Sequence, residues 1–390
     1  MKDLHFVDNN HLTLLHNGEE YFPQLEAAIE KAHTEIHIEA YVFEYDAIGR
    51  KISEALKRAA QRGVSVNLLL DGFGSQALAQ KEIHTMLQAG MKVLIFRPES
   101  IFSMPRRHRL RRMHRKLVSI DAQTAFIGGI NIIADQHNPE KLTPRFDYAV
   151  LVEGPLLTQI HSTMRHLWTL VAWVHLKKRW TDPIAIKSTS QPCGNQRAAL
   201  VLRDNLRHRR DIEHAYLHAI NEAHTEIIIA NAYFLPGSKF TNALKNAVQR
   251  GVNVQLLLQG KIEYFLQHHA TQALYENLLQ AGIKIYEYNR SYLHAKVAVI
   301  DQHWATVGSS NIDIFSLLLA REANIVVDDY HFAAQLRTSL KTAIAQDSIT
   351  VIPTHKNFFS WSWYSTVISW LSFYLVRMMQ GILGYDWYDN

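Results

Sequence analysis

Met113-His-Arg-Lys-Leu-Val-Ser-Ile-Asp121 and Leu293-His-Ala-Lys-Val-Ala-Val-Ile-Asp301 are two copies of one pattern, His-x-Lys-x4-Asp. In both, the residues after the lysine make a short apolar run that reads as a β-strand, so histidine and lysine, two positions apart, project from one face. Glycine and asparagine follow each time, as Phe126-Ile-Gly128-Gly129-Ile-Asn131 and as Thr306-Val-Gly308-Ser309-Ser-Asn311. An imidazole beside an ammonium is a phosphate-handling pair: one attacks or carries a proton, the other neutralises charge. The glycines let backbone N–H groups approach a phosphate, and the asparagine amides can donate to it. The bare pattern is not specific, because His175-Leu-Lys177 with Asp182 also matches. No apolar strand follows that copy, and Thr189 and Pro192 stand where glycine and asparagine belong, so it reads as a solvated basic turn.

Around the motifs the chain repeats itself. Ala-His-Thr-Glu-Ile occurs at 32–36 and 223–227, Gln-Arg-Gly-Val at 61–64 and 249–252, and Leu-Gln-Ala-Gly at 87–90 and 279–282. Three blocks in one order, each pair about 190 residues apart, indicate an internal duplication into two long halves. Each half alternates apolar runs with helix-period stretches. Glu35 to Phe43, Val64 to Leu70 and Val93 to Phe96 read as strands, as do Glu226 to Ala232, Val252 to Leu258 and Ile283 to Tyr288. A helix through Ile52 to Gln61 is stopped by Gly63. Strands alternating with helices predict an α/β fold with the sheet covered on both faces. The expected organisation is a first lobe over 1–175, a polar Pro- and Ser-containing linker over 176–200, a second lobe over 201–352 and an aromatic tail over 353–390.

The two motifs resemble those of the phospholipase D superfamily. From about Leu14 to Ile344 the arrangement is similar to bacterial cardiolipin synthases of the B type. The closer match is carried by Arg112-Met-His-Arg-Lys116, Ala125-Phe-Ile-Gly-Gly-Ile-Asn131, Asp147-Tyr-Ala-Val150 with Glu153-Gly-Pro155, Ile227 to Phe234 and Asp301 to Asn311. The resemblance implies two similar phospholipase D-like lobes, each a mixed β-sheet flanked by helices, with one active site at their pseudo-two-fold interface. It places His114, Lys116, Asp121, His294, Lys296 and Asp301 in the catalytic set, although Asp121 and Asp301, at strand ends, read as structural supports rather than proton carriers. It implies transfer of a phosphatidyl group between two phosphatidylglycerol molecules through a phosphohistidine, giving cardiolipin and glycerol. One histidine attacks phosphorus while the other protonates the leaving alkoxide and later deprotonates the incoming alcohol. The sequence leaves open which is which; superfamily habit favours His114 as nucleophile. Lys116, Lys296, Asn131, Asn311, Gly129 and Ser309 would hold the phosphate, with no metal and no cofactor, because lysines and backbone donors supply the charge that Mg²⁺ carries elsewhere. Each histidine should have a carboxylate fixing its tautomer. By resemblance Glu322 is the partner of His294, and Asp147 holds the corresponding place after His114. Gly129 against Ser309 makes the half-sites unequal, and the resemblance includes that Gly-Gly. A hydrolase using water, a nuclease of the superfamily and a non-catalytic membrane scaffold are the competing readings.

Two further stretches bear on the partner. The first half carries about twelve additional residues between Gly90 and His114, and they include the arginine-rich run 106–112. Such a run at an active-site entrance suits an anionic substrate or surface. Arg203, Arg207, Arg209 and Arg210 form a second cluster that reads as solvated. From Phe358 to Val376 no residue is charged, and Trp361, Trp363 and Trp370 lie among serines in a pattern suited to an interfacial amphipathic helix. An anionic phospholipid membrane with phosphatidylglycerol is therefore the expected partner, and nucleic acid is not expected. The chain of 390 residues is 47% hydrophobic and 20% charged, which reads as globular, and its net charge is only +5. One cysteine, Cys193, excludes an intrachain disulfide and a cysteine-rich metal or redox site. Met1 to Gly18 has no apolar run of signal-peptide length. The expected location is the cytoplasmic side of a bacterial cell membrane, bound peripherally.

Overall fold

The computed structural model describes residues 4–98, 111–134, 144–181, 191–313, 316–317 and 319–352, with 369, 371 and 374. The first half contains β1 (Val7–His16), α1 (Asn17–Glu30), β2 (Glu35–Ala40), α2 (Ala47–Gln61), β3 (Ser65–Asp71), α3 (Gln80–Gln88), β4 (Lys92–Phe96), β5 (Leu117–Ile120), β6 (Thr124–Gly128), β7 (Tyr148–Glu153) and α4 (Leu157–Val174). The second contains β8 (Gln196–Arg203), α5 (Asp211–Glu222), β9 (Glu226–Asn231), α6 (Ser238–Gln249), β10 (Asn253–Gln259), α7 (Phe265–Gln280), β11 (Lys284–Tyr288), β12 (Lys296–Ile300), β13 (Trp304–Gly308), β14 (Glu322–Asp328), α8 (Tyr330–Asp347) and β15 (Ser348–Thr350).

The fifteen strands of the described residues lie in one sheet, in the order β15-β11-β10-β9-β12-β13-β14-β8-β1-β7-β6-β5-β2-β3-β4. The order mirrors itself about the antiparallel β1–β8 pair, with β15 added at one edge. Within each half the three strands joined by helices run parallel, β2-β3-β4 and β9-β10-β11, while the motif strand beside them, β5 or β12, runs antiparallel. The expected mixed sheet of two similar halves is thus present, continuous across the junction. One correction concerns the linker: β8 begins at Gln196, so 196–200, expected as linker, are sheet residues pairing β1 and β14.

The repeated blocks are the turns that fix these elements. Gly63 (φ 93°) and Gly251 (φ 91°) end α2 and α6 in the left-handed region that only glycine adopts without strain. The Val64 N–H then reaches back to the Ala59 carbonyl at 3.1 Å, and the Val252 N–H to the Ala247 carbonyl at 3.0 Å. The aspartates of the two motifs serve the Ala-His-Thr-Glu blocks. Asp121 accepts from the N–H groups of His33, Thr34 and Glu35, each at 2.8 Å. Asp301 accepts from those of His224, Thr225 and Glu226 at 2.6, 2.8 and 3.0 Å. Each thereby pins the start of β2 or β9 to the far end of the motif strand.

One apolar core lies under α1 and α2 (Leu25, Ile29, Ile52, Leu56) and a second under α5 and α6 (Ile212, Ile220, Phe240, Leu244). A third takes residues from both halves: Ile127, Val150 and Val152 meet Val307, Ile325 and Val327, closed by α4 and α8 through Ile160, Met164, Phe332 and Leu336. Burial of this last set holds the halves together, since apolar area removed from water contributes about 25 cal/mol per Å².

Candidate active site

His114 and His294 stand just before β5 and β12, each held by the opposite half. The His114 N–H donates to the Arg321 carbonyl at 2.9 Å, and the Arg321 N–H to the Arg112 carbonyl at 2.7 Å. On the mirror side the His294 N–H donates to the Phe146 carbonyl at 2.9 Å, and the Phe146 N–H to the Tyr292 carbonyl at 2.9 Å. The residue before Glu322 is therefore bridged to the first motif, and the residue before Asp147 to the second.

The consequence is a crossed arrangement of side chains. His114 Nδ1 lies 2.9 and 3.0 Å from the Glu322 carboxylate oxygens and 3.1 Å from the Ser309 carbonyl. His294 Nδ1 lies 2.6 Å from Asp147 Oδ2. These neighbours only accept hydrogen bonds, so each Nδ1 carries the proton and each Nε2 keeps its lone pair. The expected pairing of Glu322 with His294 and of Asp147 with His114 is corrected: every histidine takes its carboxylate from the other half. Glu322 is fully buried and accepts a further bond from Ser309 Oγ at 2.5 Å. Ser309 is thus committed to a carboxylate rather than facing a phosphate. At the mirror position a Cβ on Gly129 would fall 2.3 Å from Asp147 Oδ1, which is why a glycine stands there. Ser–Glu on one side and Gly–Asp on the other are two solutions for filling the same space.

Lys116 and Lys296 are buried beside the histidines, and each Nζ donates to the carbonyl of its own motif histidine, at 2.8 Å for Lys116. Burial pulls the Lys116 ammonium down to about 7 against the attraction of Glu322, and Lys296 down to about 8 against that of Asp147. Burial also lowers His114, with Glu322 opposing, and lowers His294 well below the ordinary imidazole value, reinforced by Lys296. Lys296 depresses Lys116 and both histidines feel both lysines, so the four side chains converge on one region poised to receive an anion. Asn131 lines a small cleft with Asp147, Arg145 and His294, and its Oδ1 faces the Val42 N–H at 3.4 Å. Asn311 is buried with its Oδ1 unpartnered.

Asp121 and Asp301 are not brought to this region. They sit at the opposite ends of β5 and β12 as backbone caps, so their place in the catalytic set is corrected to a structural one and the support reading stands. His175 ends α4 and meets the Ile95 carbonyl at 2.9 Å, away from any motif strand. Arg203, expected as solvated, is 1% exposed and is tied to the Leu317 carbonyl at 3.1 Å and to the Ala320 carbonyl, bracing the approach to Glu322. Of the arginine run, only Arg111 and Arg112 fall within the described residues, and the Arg112 guanidinium lies 4.9 Å over the Phe73 ring. Trp361, Trp363 and Trp370 lie outside the described residues. Among those described, no helix is long and apolar enough to cross a membrane.

Several residues missed in the sequence complete the site. The Tyr41 ring meets His114 edge-on at 4.5 Å, with Lys116 Nζ 5.0 Å over its face. Asp71 accepts from the Met113 N–H at 2.8 Å, and Gln259 from the Leu293 N–H at 3.0 Å, so matched strand ends aim both motifs. Superposing the Gln-Arg-Gly-Val blocks brings these two positions into register, a signal present in the repeat.

Known proteins resemble this chain in sequence and fold. The family model described as cardiolipin synthase, PLD-like domain, matches residues 25–168 and 216–344. The chain belongs to this family. It is 38% identical to cardiolipin synthase B of Escherichia coli strain K12 over 97% of this chain and 90% of that protein. It is 29% identical to the major cardiolipin synthase ClsA of Bacillus subtilis strain 168 over 86% of this chain and 69% of that one. Among solved structures, phosphatidylserine synthase of Haemophilus influenzae Rd KW20 superposes with a TM-score of 0.71 at 12% identity, covering 98% and 96% of the two chains, which shows the shared fold.

Proposed function

We propose that the chain is a phosphatidyltransferase that joins two phosphatidylglycerol molecules into cardiolipin and releases glycerol. The observation that carries this is the pair of crossed histidine–carboxylate contacts enclosing two buried lysines. In the first step the Nε2 lone pair of one histidine attacks phosphorus and the bond to the headgroup glycerol breaks. The other histidine, protonated at Nε2, gives that proton to the departing alkoxide. In the second step the same histidine takes the proton of an incoming lipid hydroxyl, whose oxygen attacks phosphorus and releases the first. The buried carboxylate behind each Nδ1–H stabilises imidazolium when it forms. Lys116 and Lys296, with Asn131 and Asn311, hold the non-bridging oxygens in place of a metal ion.

The 38% identity to a protein named cardiolipin synthase B supports this substrate choice. Peripheral attachment to the cytoplasmic face of a bacterial membrane, through the arginine run and the aromatic tail, belongs to the same proposal. Purified protein incubated with vesicles of labelled phosphatidylglycerol in EDTA should yield labelled cardiolipin and free glycerol. Phosphatidic acid as the sole labelled product would make it a hydrolase and refute the transfer reading.

A further inference from the structure

The two halves part company where β3 and β10 end. After β3 the chain turns tightly: Asp71 accepts from the N–H groups of Phe73 and Gly74 at 2.9 and 3.1 Å, and Ser75 Oγ donates to the Tyr41 carbonyl at 2.9 Å. A Cβ on Gly74 would lie 2.3 Å from the Tyr41 oxygen, so the turn is pressed onto the end of β2. After β10, Gln259 replaces Asp71, and a pocket opens among Tyr233, Gln259, Lys261, Glu263, His268 and Thr271.

The lining is built for hydroxyl groups. Gln259 is 7% exposed; its Oε1 serves the Leu293 N–H, and its Nε2 is buried without an acceptor. A buried donor left unmet is unfavourable, and a ligand oxygen would satisfy it. Glu263 takes the Tyr233 hydroxyl at 2.6 Å on one oxygen and Arg145 at 3.1 Å on the other, and each oxygen has capacity for a further donor. With Glu263 and Lys261 both in the wall, the lining offers acceptors and donors to one ligand, which suits the hydroxyl groups of a neutral polyol.

The pocket adjoins the chemistry. Arg145, held by Glu263, also lines the cleft at His294, and the Ala232 N–H donates at 3.0 Å to the carbonyl of Ala295, inside the second motif. Around the same turn Ile262, Tyr264, Phe265 and Leu266 are 54%, 57%, 55% and 41% exposed, an apolar rim of the kind that meets a lipid surface.

We propose that this pocket receives a hydroxyl of the polyol headgroup of the acceptor lipid while the rim rests against the bilayer. The inference rests on the phosphatidyl-transfer reading and adds a direction to it. The acceptor arrives beside His294, so His294 takes its proton and His114 carries the phosphatidyl group.

The test supplies full-length protein with phosphatidylglycerol vesicles plus labelled glycerol and labelled ethanol together. Both alcohols compete for one phosphatidyl-enzyme, so the ratio of labelled phosphatidylglycerol to phosphatidylethanol is insensitive to folded fraction and to the first step. Thr271→Leu, which fills the pocket, should lower that ratio about tenfold, and Tyr233→Phe about threefold, because a site that bonds a hydroxyl discriminates strongly for it. An unchanged ratio in both variants, with the unaltered protein transferring to both alcohols, overturns the pocket alone. Absence of any labelled phospholipid from the unaltered protein overturns the transfer reading and the pocket together.

Discussion

Replacing Glu322 by glutamine removes one negative charge from behind His114 while leaving its shape in place. The carboxylate lies 2.9 and 3.0 Å from Nδ1 and is fully buried, so no water screens it. The amide oxygen can still accept from Nδ1–H, and Ser309 Oγ can turn to accept from the amide NH₂, so the tautomer survives and the charge does not. A hydrogen bond to a charged group is worth about 1.5–3 kcal/mol. At 1.36 kcal/mol per factor of ten, the rate of the step that charges His114 should fall roughly ten- to a hundredfold. Glu322 raises the His114 pKa while burial and Lys116 lower it, so its loss moves a value already below the ordinary imidazole range further down. Titration of ¹⁵N-histidine-labelled protein by NMR, assigned with His114→Ala and His294→Ala, reads this directly. Glu322→Gln should move the His114 resonance to lower pH and leave His294 nearly in place, and Asp147→Asn should do the reverse. A Glu322→Gln protein in which His294 moves and His114 does not would refute the crossed pairing.

A Cβ at Gly129 displaces the Asp147 carboxylate, so Gly129→Ala should lower turnover by at least about tenfold, whereas Ser309→Ala, which removes one neutral donor from Glu322, should cost less than tenfold; the opposite ranking of kcat contradicts the packing argument. Asp121→Ala removes three backbone partners and should lower unfolding stability by about 2 kcal/mol in urea titrations, with turnover per folded molecule within about twofold of normal; a hundredfold loss of turnover would return Asp121 to the chemistry. With Lys116 near 7 and Lys296 near 8, the free protein at pH 8 holds much less than two lysine charges, and a bound phosphate draws both to the ammonium form. Inorganic phosphate binding at pH 8 should therefore take up roughly one proton and weaken as pH rises, by calorimetry in buffers of different ionisation enthalpy; zero uptake would mean that the lysines do not meet the phosphate.

The duplication, the strand context of each motif and the alternation of strands with helices were legible because they depend on local spacing: glycine at a helix stop, aspartate at a strand end. The histidine partners were not. Glu322 follows His294 in the chain and Asp147 follows His114, and sequence distance favours pairing within a half. The backbone bridges of Arg321 to the first motif and of Phe146 to the second invert that choice, and they exist only after the two halves have packed. Arg203 failed for a related reason. As one arginine among several it looked solvated, yet its place at the end of β8, between β1 and β14, buries it against the carbonyls leading into Glu322. The start of β8 was hidden because Gln196 and Arg197 are polar, and their partners lie in β1 and β14.

In the proposed mechanism two motifs make one site, with a single nucleophile per chain. Rapid acid-free quenching of the protein with phosphatidylglycerol labelled in its acyl chains, followed by proteolysis and mass spectrometry, counts and maps the covalent adduct. At most one phosphatidyl group per chain is predicted, on His114, abolished by His114→Ala and preserved in His294→Ala when the donor carries a leaving group that needs no proton. Two groups per chain, one on each motif histidine, would mean two independent sites and contradict the account.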